Sequence, residues 1–187
     1  FTDLQIPCRT VASDIRSGDR IEWQAGSLVD AARASSSIPI LIAPMVDGDR
    51  VLVDGAIVDP VPAEVVRAMG ADRVVAVNVV PHLDPEAKNA LSRLSSVLAR
   101  VNPVQLVRPR ASVNLLDVAL NTIQSLQHEL GHYKSASADV RLTPVLNEFT
   151  WLDFWHADRI IECGVEVAEA SLSDLRALAP AALSPAL

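Results

Sequence analysis

The chain has 187 residues, half of them apolar, and carries a net charge of −7. That is length enough for one domain with a real core and a globular rather than a disordered composition. The acidic balance argues against a general nucleic-acid binder, and no apolar run approaches the roughly 18 residues of a membrane-spanning helix. No secretory leader is visible. The chain opens on Phe1, directly into a strand-like run, which points to a fragment, a trimmed product or a cleaved one. Cys8 and Cys163 stand far apart, neither with a neighbour at metal-ligand spacing. A disulfide framework is therefore not expected, a reducing compartment is, and both thiols read as small buried apolar groups.

Leu4 to Ile15 reads as a buried strand, Ser17-Gly18-Asp19 as a turn, and Arg20 to Gln24 as a second strand, together a hairpin. Ser27 can cap a helix from Leu28 to about Ser35, which Pro39 and Pro44 prevent from continuing. Asp47-Gly48 then turns a second hairpin, whose strand Val51-Leu52-Val53 runs into Asp54-Gly55. Pro62 opens a helix reaching Met69, and Gly70 ends it. Arg73 to Val80 is a near-continuous β-branched run, the pattern of a strand covered on both faces. The second half is more helical, with segments from Pro85 to Val101, Val113 to about Lys134, and Ala157 to Leu178, the last interrupted only by Gly164. Asp139 to Leu142 is a candidate last strand. Strand, helix and strand around a buried sheet make the expected class α/β.

The stretch from Gly26 to Asn78 carries the most information. AARASSSIP (Ala31 to Pro39) is followed by a proline before a hairpin, by LVDGA (Leu52 to Ala56), by a proline-led helix, by a Gly-Ala-Asp turn at Gly70 to Asp72, and by an apolar strand. In order and spacing these resemble the later half of the patatin-like phospholipase family, which includes bacterial patatin-like enzymes and the catalytic domain of neuropathy target esterase. VASDIRSGDRIEW (Val11 to Trp23) is similar as well, and the likeness extends more faintly through Ala138 to Val145 and the region around Phe154. The resemblance implies a three-layer α/β fold with a mostly buried central sheet and flanking helices. Residues 1–176 would form the C-terminal part of the catalytic domain, and 177–187, rich in Ala and Pro, a frayed tail.

What the resemblance implies chemically is a serine–aspartate dyad that hydrolyses carboxylic esters of lipids, of the phospholipid or lysophospholipid kind, without metal or organic cofactor. The aspartate carries over to Asp54, with Gly55 and Ala56 completing the motif. No G-x-S-x-G and no glycine-rich oxyanion loop occur in the chain, so the nucleophile is expected before Phe1. Residue chemistry agrees, because a serine hydroxyl is a weak nucleophile until a neighbouring base takes its proton. Asp54-Gly55 could also be a plain turn, as Asp47-Gly48 is read to be. Ser35-Ser36-Ser37 lacks the strand-turn-helix elbow of a nucleophile and reads as support for the turn before Pro39.

Two further features compete for a role. His128-Glu129-Leu130-Gly131-His132 matches H-E-x-x-H, in which two histidines four apart on a helix share a zinc ion and the glutamate acts as base. The extended form fails at Ser135 and Ala138, and the third ligand would have to be Glu148, His156 or Glu162. The apolar stripe Leu116, Leu120, Ile123 and Leu130 also leaves both histidines on the opposite, solvated side. The alternatives to the hydrolase reading are thus a zinc hydrolase and a non-catalytic interaction fragment. From Ala87 to Leu116 there is no acidic residue, yet Lys88, Arg93, Arg100, Arg108 and Arg110 are present. Such a stretch can rest on anionic lipid headgroups, which would place the protein in the cytoplasm or on the cytoplasmic membrane face, or it can be an ordinary solvated helix.

Overall fold

The computed structural model describes residues 1–81, 115–149 and 154–179. The expected helix from Pro85 to Val101, the basic stretch with Lys88, Arg93, Arg100, Arg108 and Arg110, and most of the 177–187 tail lie outside the described residues.

Strand β1 (Thr10–Asp14) and strand β2 (Arg20–Trp23) form the expected first hairpin. Its turn needs Gly18, which sits at φ +80. Asp14 fixes the turn: one carboxylate oxygen accepts from the Arg16 and Val51 N–H groups, both at 3.1 Å, and the other from the Ser17 hydroxyl at 3.2 Å. The run Leu4 to Ile15 is less of a strand than its composition promised. Only Thr10–Asp14 pairs, and Ile6 and Ile15 are exposed; among the described residues no strand pairs with residues 1–9.

Helix α1 (Leu28–Ser35) starts where expected, with the Ser27 hydroxyl accepting from the Asp30 N–H at 3.2 Å. It lays Ala31 and Ala34, both fully buried, on the sheet. Small residues there let the helix sit close over Ala12 and Leu52, with Ile21, Trp23 and Met45 around them. Strands β3 (Met45–Asp47) and β4 (Arg50–Asp54) make the second hairpin around Gly48. β4 then pairs antiparallel with β1, so the sheet order is β2-β1-β4-β3.

A 3-10 turn (Gly55–Ile57) follows, then helix α2 (Ala63–Ala68), led by Pro62. Strand β5 (Val75–Val77) pairs in parallel with strand β6 (Val140–Leu142) in a second sheet. Val61, Ala63, Val74 and Ala76 form the core beneath it. The expectation that Arg73 to Val80 is buried on both faces does not hold. Ala76 is buried while Val75, Val77 and Val79 are exposed, the alternation of a strand covered on one side among the described residues.

Helix α3 (Leu115–Ser135) crosses both halves, touching α2 and the Gly55–Ile57 turn. It packs at Gly131, where a side-chain carbon would stand 3.0 Å from the Asn78 amide oxygen. The expected helix from Ala157 to Leu178 is two helices, α4 (Ala157–Ala170) and α5 (Leu172–Leu178), separated at Ser171 rather than weakened at Gly164. The mixed α/β class is as expected. No helix among the described residues is long and apolar enough to cross a membrane.

Two carboxylates tie these pieces together. Asp14 is held below the ordinary carboxylate range first by the Arg16 N–H, then by Val51 N–H and the Ser17 hydroxyl. Asp139 is held there first by the Val74 N–H at 2.7 Å, then by Arg67 at 2.8 Å. A carboxyl whose folded value lies below its unfolded value of 3.8 adds stability above that pH and loses it as pH falls through the folded value. Thermal melts should therefore show Tm falling on acidification below about pH 4. The Asp14→Asn/Asp139→Asn double variant should melt lower at neutral pH and lose less on acidification.

Candidate functional site

Asp54 is the last residue of β4 and the cap of the turn that follows. Its backbone is fixed on both sides: its N–H donates to the Ser37 carbonyl at 2.9 Å, and its carbonyl accepts from the buried Ser13 hydroxyl at 2.9 Å. One carboxylate oxygen accepts from the Ala56 N–H at 2.8 Å. Among the described residues no cation pairs with it. The side chain is half-buried, and burial raises its pKa above the usual 3.8, opposed only by the Ala56 N–H. Paired with Ala12 across the sheet, Asp54 shares the sheet face on which α1 packs.

Gly55 is required for a reason the sequence does not announce. It does not take a left-handed backbone; it lies against β1, where a side-chain carbon would come 2.2 Å from the Val11 carbonyl oxygen. The turn is clamped a second time at its far end. The Asp59 N–H donates to the Gly55 carbonyl at 2.8 Å, and its buried carboxylate takes Arg20 at 2.6 Å. Arg20 in turn holds Glu22 at 2.8 Å, and Glu22 holds Arg9 at 2.6 Å. Neither Asp59 nor Arg20 stood out in the sequence, since a single acid and a single base 39 positions apart form no motif.

The serine cluster behaves as turn support. Ser36 and Ser37 hydroxyls donate to the Ala32 and Arg33 carbonyls at 2.7 and 2.8 Å, closing the C-terminal end of α1. Ser37 is fully buried. Beyond it, Ile38-Pro39-Ile40-Leu41 forms a turn closed by the Leu41 N–H on the Ile38 carbonyl at 3.2 Å. Ile40 sits at φ +76, the only non-glycine with positive φ among the described residues. Proline second and positive φ third is the type II pattern, whose third position normally holds glycine. A β-branched residue there costs about 1–2 kcal/mol.

His128 and His132 lie one above the other on α3, ring centroids 5.6 Å apart. His132 is exposed as expected; His128 is not. The helix turns inward on Leu120, Gly131 and Ser135, all buried, which carries His128 to the packed side, while Leu126 is 65% exposed. Small residues four apart, not the leucine stripe alone, set the packed face. Among the described residues no three of His, Cys, Asp or Glu gather where a metal could sit, and Glu148 is engaged by Arg159 at 2.9 Å. His156 and Glu162 join no such group. Cys8 is exposed and Cys163 half-buried, so neither is the buried apolar group expected; Cys8 lies in the unpaired segment before β1.

Strand β4 of this mixed α/β chain thus ends in a half-buried carboxylate that accepts from the Ala56 N–H and, among the described residues, meets no cation. The family model described as patatin-like phospholipase matches residues 2–67, which include the whole Asp54 turn. An uncharacterized NTE family protein of Mycobacterium tuberculosis is 35% identical over 118 residues, 57% of this chain and 33% of that protein. A second is 30% identical over 174 residues, 87% of this chain and 28% of that protein. Patatin-like phospholipase domain-containing protein 7 of Mus musculus is 27% identical over 169 residues, 88% of this chain and 12% of that protein. The chain belongs to the patatin-like phospholipase family, and it spans a third or less of the length of these relatives.

Gly55→Ala should destabilise the protein by about 3 kcal/mol or more, because the clashing atom is backbone and has no rotamer to escape into. Urea denaturation measures this. Gly48→Ala, where no atom lies within 4 Å, should cost less, through its φ of +59 alone.

Proposed function

We propose that this chain is the aspartate-bearing part of a lipid acyl hydrolase. Asp54 serves as general base, and a serine from polypeptide outside these residues serves as nucleophile. The observation that carries the reading is the state of the Asp54 carboxylate: fixed by the Ala56 N–H, partly desolvated, and neutralised by no cation among the described residues. A carboxyl shifted upward is a better proton acceptor, since an effective base has a pKa nearer the working pH. The names of the family and of the mouse relative support a lipid ester as substrate.

The chemistry follows from that placement. Asp54 takes the serine hydroxyl proton as the serine oxygen bonds to the acyl carbon. The bond from that carbon to the alcohol oxygen breaks, and the proton passes to the departing alkoxide. Water, deprotonated by the same carboxylate, then releases the fatty acid and restores the serine. One carboxylate oxygen is occupied by Ala56, which leaves the other to meet the hydroxyl. Contact with anionic lipid through Lys88, Arg93, Arg100, Arg108 and Arg110 belongs to the same reading and is supported by the charge pattern of the sequence.

In the full-length protein, Asp54→Asn should lower kcat for a carboxylic ester by roughly 10²–10⁴-fold. Because Asn still accepts from the Ala56 N–H, folding should not suffer. The sign of the stability change is set by burial. A carboxyl whose folded pKa is raised costs stability once it ionises, so stability declines as pH climbs from 3.8 through the folded value. Asp54→Asn should therefore raise stability at neutral pH, read as a higher midpoint in urea denaturation. An active, unstabilised Asn variant would count against the assignment.

A further inference from the structure

We infer that Ser13, Arg20 and Asp59 are positioning residues for the Asp54 base: together they hold, from behind the sheet, the peptide unit that aims its carboxylate. The inference rests on the hydrolase assignment above. Side chains alternate along a strand, and residues paired across two strands share a face. Ala12 pairs with Asp54, which puts the Asp54 side chain on the α1 face. Ser13, the next residue, points to the opposite face, and its partner on β2 is Arg20. The three residues therefore meet behind the Asp54 turn rather than beside the carboxylate.

Their contacts converge on two successive carbonyls. The Ser13 hydroxyl donates to the Asp54 carbonyl at 2.9 Å and stands 3.5 Å from the Gly55 carbonyl oxygen. The Asp59 N–H donates to that same Gly55 carbonyl at 2.8 Å, and its carboxylate accepts from Arg20 Nη1 at 2.6 Å. The Gly55 carbonyl and the Ala56 N–H belong to one planar peptide unit, so fixing the first fixes the direction of the second. That N–H is the donor to the Asp54 carboxylate, at 2.8 Å. A shift at Arg20 thus reaches the base through Asp59, the Gly55 carbonyl and the Ala56 N–H.

The cluster is costly for what it returns in stability. Ser13 is 2% and Asp59 3% exposed, already buried by the described residues. One Asp59 carboxylate oxygen is buried without a hydrogen-bond partner among the described residues, so Arg20 is what offsets its charge. A buried ion pair is a weak source of net stability, and an apolar pair of similar bulk commonly replaces it at no loss. A short charge-assisted hydrogen bond supplies direction instead.

Steady-state kinetics of the full-length protein on a short-chain nitrophenyl ester test this, at a temperature below the Tm of every variant. Ser13→Ala removes one hydroxyl and should lower kcat roughly 10–100-fold with KM within about twofold of wild type, the scale of a reacting group displaced by up to about 1 Å. Arg20→Met/Asp59→Leu removes both charges but keeps bulk and the Asp59 N–H; it should stay folded and show the same split, kcat down about tenfold. A merely structural pair predicts the opposite, full kcat in every molecule that folds. Wild-type kcat in either folded variant overturns the inference, as does a loss that appears in KM alone. Either variant decides the matter by itself should the other fail to fold. Failure of the hydrolase assignment shows separately, in a wild type that leaves the ester intact or an Asp54→Asn variant with undiminished kcat.

Discussion

The contact on which the site depends is the one between Gly55 and the backbone of Val11. At that point two segments 44 positions apart touch without a side chain between them. The turn after β4 can fold down on β1 only because residue 55 has no Cβ. With the turn down, the Ala56 N–H points back at the Asp54 carboxylate, and the Asp59 N–H reaches the Gly55 carbonyl. The ion chain from Asp59 through Arg20 and Glu22 to Arg9 then fastens the far side of the turn to the β1–β2 hairpin. Orientation of a single carboxylate is thus distributed over three strands.

Around that carboxylate, several features run against stability. Asp54 is partly desolvated without a counter-ion among the described residues. In the segment that follows Ser37, Ile40 holds a left-handed backbone and Ile42 is exposed. None of these helps the chain fold. Elsewhere ordinary rules hold: a serine cap on α1, glycine turns, and small residues where α1 approaches the sheet. That half-buried, cation-free state is the one from which a general-base role is proposed for Asp54. It contrasts with Asp14 and Asp139, which are satisfied by backbone N–H groups and held low, as structural carboxylates are.

The H-E-x-x-H sequence on α3 shows how far a short motif can outrun its setting. Helical spacing does place its two histidines together, but the helix docks through Gly131 over Asn78, and no third ligand gathers there among the described residues. What the helix does contribute is a span from the Asp54 turn to α2, joining the antiparallel sheet to the β5–β6 pair.

By itself, the sequence determined the local elements and the aspartate. Ser27 capping, Asp47-Gly48 turning, Pro62 leading a helix and Asp54 ending a strand are all set by short-range chemistry, and each stands where its residues said it would. Tertiary structure decided the rest. Why residue 55 must be glycine depends on a strand far away in the chain. Which face of α3 is buried depends on where Asn78 lies. The apolar run at Arg73 to Val80 became a strand with one covered face, because what covers a face is a property of the neighbours rather than of the strand. Local propensity reads conformation; burial and pairing are decided by contacts between distant residues, which periodicity alone does not encode.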